Sequence, residues 1–386
     1  MRRALLPSAV AALVVAGPTS TAQAATSCDN TNLYSYAFSS APTTQLSYGG
    51  TTNYTATNGA AATRTFSVNI TQNGLTSTSV NGDTLPRIDS TPLSTSTGGR
   101  VLNIGGVFGG RTASITGATR VIVTTFTFAT PIRELTLSVN DIDYTNNQYR
   151  DWLWITGSDG TSTYADPVLT LQSPTSARIG PGGSPSLAAN EAIGTGTANT
   201  GATTGDMDIL FNEPVTSVSL RYGNYPLSAG EALTGQQALG VVKLSFCPLP
   251  SVTVTKTSAP YDTTGVTRFA VPGADVAYTL TVTNSGGSKV DLNSLVLADV
   301  LPANVTFYNG DFNPGSPGMG PFELTAGSST VTLPASGRSY SDNGGATYTY
   351  TPSAGYDPNV KALKLIPSGT MAANSSFTIR FRARVN

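Results

Sequence analysis

Phe128-Ala-Thr-Pro131-Ile132-Arg-Glu-Leu135-Thr-Leu137-Ser-Val139 is matched position for position, later in the chain, by Phe211-Asn-Glu-Pro214-Val215-Thr-Ser-Val218-Ser-Leu220-Arg-Tyr222. Leu135, Leu137 and Val139 recur with period two, as do Val218, Leu220 and Tyr222, which places each trio on one face of a β-strand. Proline has no N–H to give a ladder, so the pattern predicts strand, proline turn, strand in both copies. A gene duplication gives such an echo, but the residues between the copies do not repeat. Two similar corners of one sandwich account for it through turn chemistry alone.

Working outward, further alternating runs are expected to be strands: Arg64 to Ile70, Arg120 to Phe128, Glu134 to Val139, Trp152 to Thr156, Met207 to Phe211, Thr216 to Tyr222 and Gly240 to Phe246. Gly98-Gly99, Gly105-Gly106, Gly109-Gly110 and Gly180 to Gly183 read as turns between them. Helical signals are confined to short turns near Ala188 to Ala192 and Ala229 to Ala232. The count of runs suits two packed sheets.

Composition agrees with this reading. Only 11% of residues are charged, and the formal net charge is −1. That balance offers no electrostatic footprint for nucleic acid. Arg2 and Arg3, the apolar run from Ala4 to Gly17 and the small residues Ala22-Gln23-Ala24 form a secretory leader, with cleavage expected after Ala24 and no transmembrane segment in the mature chain. Secretion carries the two cysteines, Cys28 and Cys247, into an oxidising compartment, where they are expected to pair. Closing a loop of about 220 residues is worth roughly 5 kcal/mol at most in the chain-entropy account.

Pro248-Leu249-Pro250 follows Cys247, and the character of the sequence changes there. The expected organisation is a leader over residues 1–24, a first β-sandwich over 25–247, a linker at 248–251 and a second sandwich over 252–386. The first region, through Phe128 to Asp143, resembles the jelly-roll, carbohydrate-binding-module-like domains of exported bacterial proteins. The second carries Val254-Thr255-Lys256, then Pro272-Gly273-Ala274-Asp275-Val276-Ala277-Tyr278-Thr279-Leu280-Thr281-Val282-Thr283-Asn284-Ser285-Gly286, then Asp299-Val300-Leu301-Pro302 leading into Val305-Thr306-Phe307. These motifs resemble the immunoglobulin-like conserved-repeat domain known as the domain of unknown function eleven. The resemblance implies a secreted or cell-surface setting and brings no catalytic residues. Val276, Tyr278, Leu280 and Val282 should line one buried strand face, and Asn284 to Gly287 should close a hairpin. The fold class is therefore all-β, a jelly-roll-like β-sandwich followed by an immunoglobulin-like β-sandwich.

The chain has no histidine, which removes Ser-His-acid catalysis and imidazole zinc sites. The chemistry that remains gathers in Val139 to Gly160, VNDIDYTNNQYRDWLWITGSDG, which holds both tryptophans. Asp141, Asp143 and Asp151 flank an expected loop of about eight residues and are candidate ligands for calcium, which takes hard oxygen donors. The plainer alternative is a solvated turn held by Asx hydrogen bonds, with Arg150 balancing one charge. Tyr144, Tyr149, Trp152 and Trp154 are candidate ligand-binding residues, although a Trp-x-Trp pair serves equally well as core. A glycosidase would draw its two carboxylates from these aspartates, Asp159 and Asp166. Three functions compete: a non-enzymatic structural or adhesive surface protein, a carbohydrate-binding module, and a glycoside hydrolase. The first is favoured, with a cell-surface polysaccharide or surface protein as partner and the C-terminal module as spacer or packing partner. Non-reducing peptide mapping of the secreted protein is expected to recover Cys28 joined to Cys247, and free thiols at both positions would remove the staple.

Overall fold

The computed structural model describes residues 32–164, 166–225, 235–261, 269–315, 318 and 320–386. The leader, Cys28 and the turn at 229–232 lie outside them. Among the described residues the helical pieces are single 3-10 turns at Phe38–Ser40 and Ala335–Gly337, and the rest of the regular structure is antiparallel strand. No helix of the described residues is long and apolar enough to cross a membrane. The chain divides into two compact units, Ser27–Leu249 and Pro250–Asn386.

In the first unit one long strand, Val121–Asn140, serves two ladders. Its first half pairs with Thr63–Asn73 on one side and Val215–Asn224 on the other. Its second half lies between Met207–Phe211 and Gln236–Pro248. The change of neighbours falls at Pro131, where the register against Val215–Asn224 jumps between Thr127 and Ile132. This corrects the expected turn. The backbone stays extended and bulges, because a residue without an N–H is tolerated where the strand is exchanging partners and no ladder bond is needed. In the echo the chain does break, into Met207–Phe211 and Val215–Asn224, and each half lies against one half of the long strand, with Ile132 opposite Val215. The two copies are corners that pair with each other.

Leu135, Leu137, Val139, Val218, Leu220 and Tyr222 all face one core, filled further by Phe126, Phe128 and Phe211. Tyr149–Ser158 extends the ladder beyond Val215–Asn224 and is followed by Glu191–Gly194. The expected helical turn near Ala188 to Ala192 is instead a turn running into that strand. Gln236–Pro248 is flanked by Val101–Phe108 and Tyr34–Ala37. Gly105-Gly106 lies inside Val101–Phe108 and is not a turn. A Cβ on Gly105 would stand 2.2 Å from the Gln237 carbonyl oxygen, so glycine is what lets these two strands approach.

In the second unit Asp275–Asn284 is central, paired with Val252–Pro260 and Ser375–Val385. A smaller sheet joins Leu297–Val300, Ala362–Leu365 and Arg338–Ser341. Val276, Tyr278, Leu280 and Val282 are buried as their alternation requires, against Phe307, Phe322, Phe377 and Phe381. Gly273, at φ +85°, completes the turn that opens the strand, with Ala274 N–H donating to the Val271 carbonyl. The hairpin expected at Asn284 to Gly287 is a corner instead. Both neighbours of the strand come from elsewhere in the chain, and the fully buried Asn284 side chain fixes the exit by donating to the carbonyls of Ser288 and Ala372 and accepting from the N–H groups of Ser251 and Gly286. This unit has its own contiguous core, so residues 251–386 expressed alone are expected to give dispersed amide resonances and one cooperative thermal transition. A broad, non-cooperative melt would show that the unit needs the rest of the chain.

Candidate functional site

The long strand ends at Asn140, and Asp141 takes a left-handed φ of +66° that turns the chain inward. Tyr144–Thr145 then pairs back onto Tyr149 and Arg150, with Asn146 to Gln148 exposed at the tip and Asn147 also left-handed. The open loop expected from Asn140 to Trp152 is thus a short hairpin. Asn147 supplies the positive φ of its turn, and pairing resumes at Tyr149.

The aspartates lie under this hairpin. Asp151 is fully buried. Its Oδ1 accepts from the Tyr222 hydroxyl at 2.6 Å and from Gln237 Nε2 at 3.1 Å, and its Oδ2 accepts from the Asp143 N–H at 3.0 Å. The Asp151 N–H returns a bond to the Asp143 carbonyl at 3.0 Å. Asp143 is also buried, and its Oδ2 accepts from the Ala198 N–H at 3.0 Å. Asp141 is half-buried, close enough to Asp143 and Asp206 for their charges to act on it.

Such crowding of acids in a poorly hydrated place favours their neutral forms. Burial, reinforced by the charges of Asp143 and Asp206, pushes Asp141 up to about 8. Burial and the neighbouring Asp208 push Asp206 up to about 6, against the pull of the Asp141 N–H. Burial raises Asp143 as well, although the Ala198 and Tyr149 donors oppose it. Asp151 is raised well above the ordinary carboxylate range by burial and by Asp143, despite the Tyr222 bond. Among the described residues no group of three His, Cys, Asp or Glu side chains is placed to hold a metal ion. Protein donors meet the oxygens of Asp151 and Asp143 Oδ2, while Asp143 Oδ1 is buried without a hydrogen-bond partner among the described residues. The solvated-turn alternative is corrected, because Asp143 and Asp151 are buried.

The four aromatic candidates separate into two groups. Trp152 and Trp154 turn away from the main core, which receives Leu153 and Ile155, and join a satellite cluster with Ile115, Val121, Leu187 and Ile193. Trp152 is 9% exposed and meets Tyr225 edge-on, with ring centroids 4.8 Å apart. The Arg221 guanidinium lies 5.9 Å from the Trp154 ring centre and is held by the carbonyls of Ile115 and Gly117. Tyr144 and Tyr149 stay on the hairpin, Tyr144 beneath the Arg150 guanidinium at 4.4 Å. Asp159 is occupied in its own turn, where Thr161 N–H, Ser162 N–H and the Tyr164 hydroxyl donate to it, and Asp166 is exposed.

Beside the hairpin tip is an open crevice of about 660 Å³, lined by Asn81, Thr145, Asn147, Gln148, Tyr149, Gly235 and Gln236. Its lining is polar and uncharged. Sequence reasoning missed this crevice, along with Asp206, Tyr222 and Gln237. The one signal for Asp206 is that Asp206-Met207-Asp208 repeats the Asp-x-Asp pattern of Asp141-Ile142-Asp143. No protein-family model matches the chain, and no curated protein sequence matches it.

A carboxyl whose folded pKa lies above its unfolded value of about 3.9 stabilises fully below that value and loses its contribution as pH rises through the folded pKa. The first unit should therefore lose stability from about pH 4 to about pH 8, through Asp206 and then Asp141. Thermal melts across this range should show the midpoint falling as pH rises, and Asp141→Asn should flatten the upper half of that slope. Midpoints in calcium and in chelator should coincide. A midpoint that climbs with pH, or that calcium raises, would contradict the hydrogen-bonded account.

Proposed function

We propose that the chain is an exported, non-enzymatic protein of the cell surface or the surrounding medium, with a structural or adhesive role. In this reading the first unit is a jelly-roll-like sandwich that carries the contact with a partner. The second is an immunoglobulin-like module of the conserved-repeat kind that acts as spacer or packing partner. The observation that carries the proposal is the placement of Trp152 and Trp154. The two side chains best suited to a sugar shelf are built into a satellite core, and Trp152 is nearly closed off from solvent. The carboxyls argue the same way. Asp143 and Asp151 are bonded inside the fold, and no carboxyl lines the crevice among the described residues. A hydrolase needs a carboxyl on each side of the bond it cuts. What the crevice offers instead is amide, hydroxyl and phenol groups, which suit the hydroxyls of a surface polysaccharide or the backbone of a surface protein.

The test has two arms. Trp fluorescence of the purified protein should resist acrylamide and stay unmoved by soluble oligosaccharides, and Trp152→Ala should destabilise the first unit by about 3–5 kcal/mol. Beads coated with the protein should bind isolated cell envelopes without releasing reducing sugar, and Asn147→Ala with Gln236→Ala should weaken that retention. Free quenching with a sugar-dependent emission shift would replace this reading by a carbohydrate-binding module, and sugar release would replace it by a hydrolase.

A further inference from the structure

We infer that Lys256 and Asp299 are the two halves of an intramolecular amide cross-link that staples the two sheets of the second unit. Lys256 lies on Val252–Pro260 in the larger sheet and Asp299 on Leu297–Val300 in the smaller one. Lys256 Nζ stands 2.7 Å from Asp299 Oδ1, and the two side chains are 4% and 3% exposed. The amine is roofed by aromatic rings, 4.6 Å from the centre of Tyr278 and 5.7 Å from that of Phe381. Asp299 Oδ2 is buried and has no hydrogen-bond partner among the described residues.

An ion pair in such a place is poorly supported. Two charges have left water, and one carboxylate oxygen receives nothing in return. Passing one proton from the ammonium to the carboxylate, along the bond that already joins them, gives a neutral amine facing a neutral acid. Burial raises the Asp299 carboxyl against the opposing pull of Lys256. A desolvated lysine amine is a nucleophile, and here it is held against the carboxyl group by both sheets. The Nζ–Cγ bond forms and the Cγ–Oδ2 bond breaks. Two of the three ammonium protons leave with that oxygen as water, and the third remains on the amide nitrogen. Ammonium and carboxylate thus become amide and water, and no oxidant or co-reactant is required. The product removes both buried charges and the unpartnered oxygen. It also ties strands from different sheets covalently, and it stands whether or not the first unit binds a partner.

The full secreted chain, reduced, alkylated and digested with trypsin, decides the matter by mass spectrometry. The peptide Leu244–Arg268, uncut at Lys256, should be recovered joined to the peptide Val290–Arg338 that contains Asp299, about 18 Da lighter than the pair. Asp299→Asn should give the same junction with loss of ammonia, about 17 Da, and Lys256→Arg should return both peptides as linear species. Wild-type protein that yields the two linear peptides at full mass, cleaved normally after Lys256, would overturn the inference and leave an ion pair.

Discussion

The first unit depends on one buried carboxyl. Asp151 sits on the strand that carries both tryptophans, and its oxygens collect a hydroxyl from Tyr222, an amide from Gln237 and a backbone N–H from Asp143. Those partners belong to three other segments: the corner strand Val215–Asn224, the closing strand Gln236–Pro248 and the turn after the long strand. A lone buried acid would be costly, but one that is fully hydrogen-bonded and raised toward its neutral form is a directional clamp. Apolar packing alone would allow the hairpin above it to slide. Asp151 specifies where the hairpin begins and which way its tip faces, and so fixes the position of Tyr149 beside the crevice.

This arrangement also explains what could be read in advance. Met207–Phe211 and the strand holding Val276, Tyr278, Leu280 and Val282 were legible because large apolar residues recur at every second position along each. Val101–Phe108 was not legible. Its residues are buried on both faces and it contains two glycines, so it shows neither alternation nor a typical strand composition. Pro131 misled for a related reason. Proline ends a strand when a ladder bond is required at that position, and the need for that bond depends on neighbours that local sequence does not name.

The site was legible as a place but not as an environment. The density of Asp, Asn, Tyr and Trp between Val139 and Gly160 marked the stretch that carries the candidate site, and its polarity suggested exposure to solvent. Exposure is decided by whether each polar atom finds a partner inside, and those partners are 71 residues away for Tyr222 and 86 for Gln237. No pattern confined to the stretch carries that information. The Trp-x-Trp pair shows the same limit. Period two correctly puts both rings on one face, but the segment that covers them comes from Ile115 and Leu187.

The second unit holds two contrasting carboxyls whose states follow from their donors and their burial together. Burial works to raise Asp275, yet its carboxyl is held below the usual range because Tyr356, Arg382 and Arg384 together occupy both oxygens, at 2.6, 2.7 and 3.0 Å. Arg382 is itself sandwiched against Tyr261 and Tyr308, so the cation cannot drift from its partner. Asp275 is thereby fixed as an ion at the end of the central strand. Asp299 meets one cation through one oxygen and leaves the other bare, and its carboxyl is raised. Two of the three motifs that carry the resemblance, Val254-Thr255-Lys256 and Asp299-Val300-Leu301-Pro302, meet at this under-supplied carboxyl, between sheets rather than within one. A residue pair needed only for packing could be apolar at lower cost. A lysine and an aspartate placed there give a contact whose chemistry can differ from that of every other ion pair in the unit.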